Sequence, residues 1–297
     1  MSDIDQPPKV IVSNAGTGSP LRVTIIGAGR VGMTIGRLCQ QSDVALLTDV
    51  LVRRAADAAT AIEFIGGGRP VSGFTQLQPA DLYLLTVPDD QIEDCCRQLV
   101  ASGMLPAHGI VAHCSGAQSA GLLVSASRQG AAVASVHPVR SFADPARVAA
   151  DFAGTVCAIE GDPVACAVIR ELFGAFGAHL IAIDARNKTL YHAGAVFASN
   201  YLVTLIDVAM QTYGQAGIGA DDALRMIAPL LRETAENVFR LGPAAALTGP
   251  IARGDMATVA RQQQALEAVD PAHAALYAQL TSATAALAAR RTPDTKS

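Results

Sequence analysis

The chain has 297 residues, 51% hydrophobic but only 4% aromatic with no Trp, and a formal net charge of −4. Length suits about two domains with a core of Ala, Val, Leu and Ile. No block of like charge stands out, which argues against a nucleic-acid surface or an anionic-membrane patch and leaves room for a small anionic ligand held by a few arginines. The six cysteines, Cys39, Cys95, Cys96, Cys114, Cys157 and Cys166, show neither CxxC spacing nor the pattern of a small secreted domain, so they read as reduced thiols in a cytoplasmic protein. Residues 1–20 lack a basic segment followed by an apolar one, which excludes a signal peptide and predicts a disordered tail.

Leu21 to Gly32, LRVTIIGAGRVG, predicts a strand, a tight turn and a helix start. Gly27 would let the chain turn sharply, Gly29 would admit a pyrophosphate, and Gly32 would let the helix pack close to the sheet. The turn Gly27, Ala28, Gly29 and the helix start Arg30, Val31, Gly32 are thus the expected cofactor contacts, with phosphates on the helix N-terminus. After a helix over Val31–Gln41, the apolar run Val44–Val52 should pair parallel to the first strand, and it ends in Arg53 and Arg54. Arginine at this position accommodates a 2′-phosphate and favours NADP, unless both are solvated charges opening the helix Ala55–Ile65.

A turn at Gly66–Gly68 and a short strand near Val71 precede Asp81–Val87, DLYLLTV, a buried strand whose end at Val87 and Pro88 should face the cofactor. Asp89 and Asp90 read as caps of the helix Gln91–Ser102 rather than as a catalytic pair. Strands over Gly109–His113 and Ala131–Val136 end in HCSGA and in His137 and Ser141. Ligands bind outside the carboxyl ends of strands in open α/β sheets, so Ser115, His137 and Ser141 are candidate substrate contacts. Each histidine is equally well read as a hydrogen-bonded residue near a turn. His113, Cys114 and His137 do not have zinc spacing, and no metal is expected. Ser115 lacks the GxSxG setting of a hydrolase nucleophile.

Val156–Glu160 and His179–Ile183 extend the sheet around a helix, Pro163–Phe176. From Lys188 the pattern is helical: Lys188–Ala216, Ala220–Leu241, Met256–Val269 and Pro271–Arg291. The first would be about 40 Å long and would form the spine of a second domain. Gly194–Met210 is marginal for a bilayer and predicts a buried helix, with no membrane partner. The expected domains are therefore 21–184, dinucleotide-binding, and 185–291, helical, with a tail at 292–297. On the first long helix, Lys188, His192 and Ser199 share one stripe with Asn200 at its edge. Lys188 or His192 would carry a proton, since an imidazole does so near neutral pH, and Asn200 would orient the substrate.

GAGRVG, VRR, TVPDDQI, HCSGA, VHPVRSF, AIEGD, KTLYHAGAVFASNYLV and LTGPIARGD together span Leu21 to about Val259. In these the chain resembles the Rossmann-like proteins with a DUF2520 helical domain, distant relatives of pyrroline-5-carboxylate reductase, ketopantoate reductase and the β-hydroxyacid dehydrogenases. The resemblance implies a Rossmann-type doubly wound parallel sheet, NADP as cofactor, and an all-helical C-terminal domain that dimerises. In β-hydroxyacid dehydrogenases a lysine and an asparagine four residues later face the nicotinamide. Lys188 holds the first place here and His192 the second. The expected function is an NADP-dependent oxidoreductase moving hydride between nicotinamide and a small carbonyl, imine or hydroxy-acid substrate. The alternative is a non-catalytic NADP-binding module with a protein partner. A homodimer through the helical domain is expected, with Thr248 and Arg253 of LTGPIARGD reaching the substrate.

Overall fold

The computed structural model describes residues 19–290. The expected tails lie outside the described residues apart from Ser19 and Pro20. Eight strands form one sheet: β1 (Leu21–Ile26), β2 (Ala45–Leu51), β3 (Arg69–Val71), β4 (Leu82–Leu85), β5 (Ile110–His113), β6 (Ala132–Pro138), β7 (Val156–Gly161) and β8 (His179–Ala182). Their order is β3-β2-β1-β4-β5-β6-β7-β8, and every pair is parallel except β6 with β7. The strand order therefore reverses between β1 and β4, which opens a crevice at their carboxyl ends.

Parallel strands need cover on both faces, and their near-continuous apolar runs reflect this. One face packs Val23, Ile25 and Leu84 against α1 (Arg30–Gln40), α2 (Ala55–Ile65), a short α5 (Pro145–Ala150) and α6 (Pro163–Ala175), through Ile35, Ile65, Val148 and Ile169. The other packs Ile26, Tyr83 and Leu85 against α3 (Ile92–Ala101) and the single turn α4 (Val124–Ser127), through Ile92, Leu99 and Leu123. The sequence pattern gave no sign of α4 or α5.

The long helix predicted from Lys188 is two helices, α7 (Lys188–Ala198) and α8 (Asn200–Gln215), because Ser199 leaves helical geometry at φ −124°, ψ −69°. The chain divides into two compact units between Phe197 and Ala198. This is later than the expected boundary at 184/185, since Lys188 buries itself in the sheet unit and takes α7 with it. The prediction of a buried helix over Gly194–Met210 is corrected. No residue of α8 is buried, and Phe197 and Val203 are 70% and 67% exposed. The run Ala185–Gln215, with mean hydropathy 1.5, is long and apolar enough to cross a membrane by length and composition.

The second unit continues with α9 (Ala220–Leu241), α10 (Pro243–Ala246), α11 (Met256–Val269) and α12 (Pro271–Ala288). Asp255 caps α11 on Thr258 N, and Asp270 caps α12 on Ala272 N and His273 N, with Pro271 in the first turn where its missing N–H costs nothing. Its buried apolar residues among those described are Ala223, Ile227, Val259 and Ala274. Four such side chains are a thin core for a unit of this length.

Candidate functional site

The glycine turn works as its spacing requires. Gly27 has φ +100°, and a Cβ there would stand 2.7 Å from Val87 Cγ1. A Cβ on Gly32 would run into Gly27 O and Thr86 Oγ1, so α1 packs on the strand end at glycine distance only. At Gly29 the space is open. Gly29 is also the N-cap of α1, which has no side-chain cap and no acid in its first turn, so its leading N–H groups are left for an anion.

These groups border a crevice of about 1070 Å³ that also includes Ala28, Arg53, Arg54, Val87 and Pro88. Arg30 is exposed beside it, and Gly32 is buried beneath. Arg53 and Arg54 are both exposed, with Arg54 Nε 2.6 Å from Asp57 Oδ2. An open turn, uncapped helix N–H groups and a crevice of this volume fit a dinucleotide.

A second cavity of about 210 Å³ shares Thr86 and Val87 with the crevice and adds Val31, Asp89, Ser115, Gly116, His137 and His192. Ser115 Oγ donates to Asp89 Oδ2 at 2.7 Å and accepts from Gln118 N at 2.9 Å, so it holds its loop rather than serving as a nucleophile. Neither helical turn after Pro88 has a side-chain cap, which corrects the reading of Asp89 and Asp90 as caps. His137 Nδ1 lies 2.8 Å from Tyr191 OH, and its ring meets that of His192 edge-on at 5.4 Å. Burial, with His192 and Lys188 adding to it, pushes His137 down to about 4. Burial raises Tyr191 to about 12. His192 Nδ1 is enclosed without a hydrogen-bond partner, against Gly116, where any Cβ would collide with it.

Lys188 stands elsewhere than expected. It is 1% exposed and outside the cavity lining, with Nζ bonded to Ser135 Oγ and 3.2 Å from Glu160 Oε1. The same Glu160 oxygen accepts from Ala120 N at 2.8 Å, and Ser135 Oγ donates to Ser115 O at 3.3 Å. His113 completes the cluster by accepting from Ser115 N and donating to Ser119 O, and burial takes it down to about 4. Burial also lowers the Lys188 ammonium from its usual value, opposed by the Glu160 carboxylate. Lys188 therefore pins the loop 115–120 and does not face the cavity.

Ser141 is exposed and outside the lining. Asn200, Thr248 and Arg253 are exposed in the second unit. Among the described residues no group of three or more His, Cys, Asp or Glu could hold a metal. Sequence reasoning missed Gly116, Tyr191, Ser135 and Glu160. Gly116 and Tyr191 stand inside HCSGA and KTLYH, but neither residue type announces its role.

Residues 9–138 match the model of a Rossmann-like domain, and residues 155–284 match that of a domain of unknown function, DUF2520. The chain joins a Rossmann-like domain to a DUF2520 domain. The cavity draws Asp89, Ser115, Gly116 and His137 from the Rossmann-like segment and His192 from the DUF2520 segment. Solved structures share the fold. A Bacteroides fragilis protein described as a putative NADP oxidoreductase is 19% identical, with TM-score 0.76, covering 90% of this chain and 99% of its own. A Thermotoga maritima protein is 23% identical, with TM-score 0.70, covering 91% and 100%. The 1-pyrroline-5-carboxylate reductase of Streptococcus pyogenes is 14% identical, with TM-score 0.61, covering 90% and 99%. Comparison with curated proteins finds no match.

Two outcomes follow from the buried cluster. Lys188→Ala leaves Glu160 buried and uncompensated, and calorimetry should read a loss of about 3–5 kcal/mol of stability. His113 and His137 both sit below the unfolded value of 6.5. Their contribution is present above 6.5 and is lost as pH falls toward 4, because the unfolded chain binds those protons first. Melting temperature should fall across that window, and His113→Asn should flatten the fall.

Proposed function

We propose that the chain is an NADP-dependent reductase of a small carbonyl or imine substrate, the reverse reaction being oxidation of a hydroxy acid or amine. The observation that carries this is the shared wall. Thr86 and Val87 border both the dinucleotide crevice and the histidine cavity. A cofactor with its pyrophosphate on the α1 N-terminus would extend past Val87 toward His137 and His192. Bound NADPH would supply hydride at its nicotinamide ring. The chain supplies the rest: Gly29 and the first turn of α1 hold the phosphates, Val31 and Val87 wall the cavity, and an imidazole gives the proton to the substrate heteroatom. One of the two cavity imidazoles, His137 or His192, takes this role in place of Lys188, whose ammonium is spent on Glu160 and Ser135. With all six cysteines free, we read the protein as cytoplasmic.

The fold relatives described as NADP enzymes support NADP over NAD, and Arg53 and Arg54 at the crevice support it independently. A charge-assisted contact to a 2′-phosphate is worth about 1.5–3 kcal/mol, roughly ten- to a hundred-fold in affinity. Fluorescence titration should give tighter binding of NADPH than NADH, with the gap closed in an Arg53→Ala, Arg54→Ala double variant. Equal affinities in the wild type would refute the preference.

The second unit carries an assembly reading. Its core is thin, Leu202, Val203 and Leu205 of α8 are exposed, and an apolar groove of about 610 Å³ runs along Val208, Leu266, Leu276 and Tyr277. A homodimer that lays an apolar helix of each copy in the groove of the other would cover both surfaces by one two-fold operation. Light scattering at micromolar concentration should give the dimer mass, and Val203→Glu with Leu205→Glu should reduce it to the monomer.

A further inference from the structure

We infer that the cavity is built for an oxygen electrophile: His137 and His192 are neutral imidazoles with their protons on Nε2, and together they bind the oxygen of an aldehyde or ketone rather than a protonated imine. The inference rests on the reductase reading and goes beyond it by naming the tautomers, the substrate class and the part played by Tyr191.

The tautomer of each ring follows from its other nitrogen. Tyr191 OH has His137 Nδ1 as its one hydrogen-bond partner among the described residues. If Nδ1 carried the proton, the phenol would accept and its own hydrogen would have no protein acceptor among the described residues. Tyr191 therefore donates, Nδ1 is a lone pair, and the His137 proton is on Nε2. At His192 the enclosed Nδ1 has no partner at all. A proton there would be a buried unsatisfied donor, so this ring too carries its hydrogen on Nε2. Gly116 makes the arrangement possible, because a side chain at that position would collide with His192 Nδ1 and stand 2.8 Å from His137 Cε1. Burial keeps His137 uncharged at neutral pH.

Both rings line the one cavity, and Nε2 is the nitrogen of each that is neither enclosed nor bonded. Two N–H donors match the two lone pairs of a carbonyl oxygen. A neutral imine nitrogen offers one lone pair, and a protonated iminium offers none. The charged groups of the lining do not reverse this. Asp89 accepts from Ser115 Oγ, and the Arg140 guanidinium is bonded to Asp151 and Thr155.

The step balances within these groups. The carbonyl carbon receives hydride from NADPH, a C–H bond forms, and the C=O π pair moves to oxygen. The oxygen takes the Nε2 proton of His137 while Nδ1 takes the phenolic proton of Tyr191. Solvent then reprotonates the phenolate. A neutral imidazole acts here as the electrophile, and Tyr191 is a positioning residue that fixes the tautomer and replaces the proton.

Long-range proton–nitrogen NMR on the ¹⁵N-labelled full chain tests this, with His137→Gln and His192→Gln identifying the resonances. Both rings should show the Nε2–H form. Tyr191→Phe should release the His137 tautomer, leave His192 unchanged, keep NADPH affinity within about twofold, and slow reduction of an aldehyde and ketone panel by about tenfold or more. A proton on Nδ1 of either wild-type ring would overturn the inference. So would a His137 signal indifferent to Tyr191→Phe, or turnover of cyclic imines with none of aldehydes and ketones. NADPH titration separates the two levels: a wild type that does not bind it removes the reductase reading as well, whereas binding with the wrong tautomers removes the inference alone.

Discussion

Lys188 Nζ and Glu160 Oε1 meet 3.2 Å apart where almost no solvent reaches, and the loop 115–120 is hung on that contact. Glu160 holds Ala120 N, Lys188 holds Ser135, and Ser135 holds the Ser115 carbonyl. Isolated, either charge would be costly to bury. Paired and hydrogen-bonded, they fix a backbone segment with no regular ladder of its own. Gly116 lies on that segment, and its missing side chain is the space in which His192 stands. The position of His192 thus depends on an ion pair that never touches the cavity.

The hydrogen bonds that this pair makes to Ser135 and Ala120 tie the two matched segments together. Ser135, Ser115 and His137 come from the Rossmann-like segment, while Glu160, Lys188, Tyr191 and His192 come from the DUF2520 segment. β7 and β8 extend the sheet that the first segment begins, and α7 lies with that sheet unit up to Phe197. The cavity is a property of the junction, made rigid by strand pairing and by the buried pair. The crevice, by contrast, is lined by the Gly27–Gly29 turn, the strand ends beside it and one side of α3.

Much of this was legible in the sequence. The apolar runs located every strand to within a few residues, and GAGRVG specified a turn whose three glycines do three different things. What was not legible depends on tertiary partners. Lys188 and His192 share a helical stripe, yet one is sealed behind Glu160 and the other opens on the cavity, a difference set by residues on β6 and β7. Asp89 looked like a cap because caps are local, but its partner is Ser115, 26 positions away. The apolar run beyond Gly194 looked buried because hydropathy does not say what covers a helix, and no residue of α8 is fully covered by the described residues.

In the proposed reading one dinucleotide threads from the Gly29 turn past Val87 into the histidine cavity. A crystal structure of the full chain with NADP⁺ is the decisive test. The pyrophosphate should lie against the N–H groups of Gly29 and Arg30, the 2′-phosphate beside Arg53 or Arg54, and the nicotinamide in the cavity next to His137 and His192. A nicotinamide ring lying outside that cavity, or a pyrophosphate away from the α1 N-terminus, would contradict it.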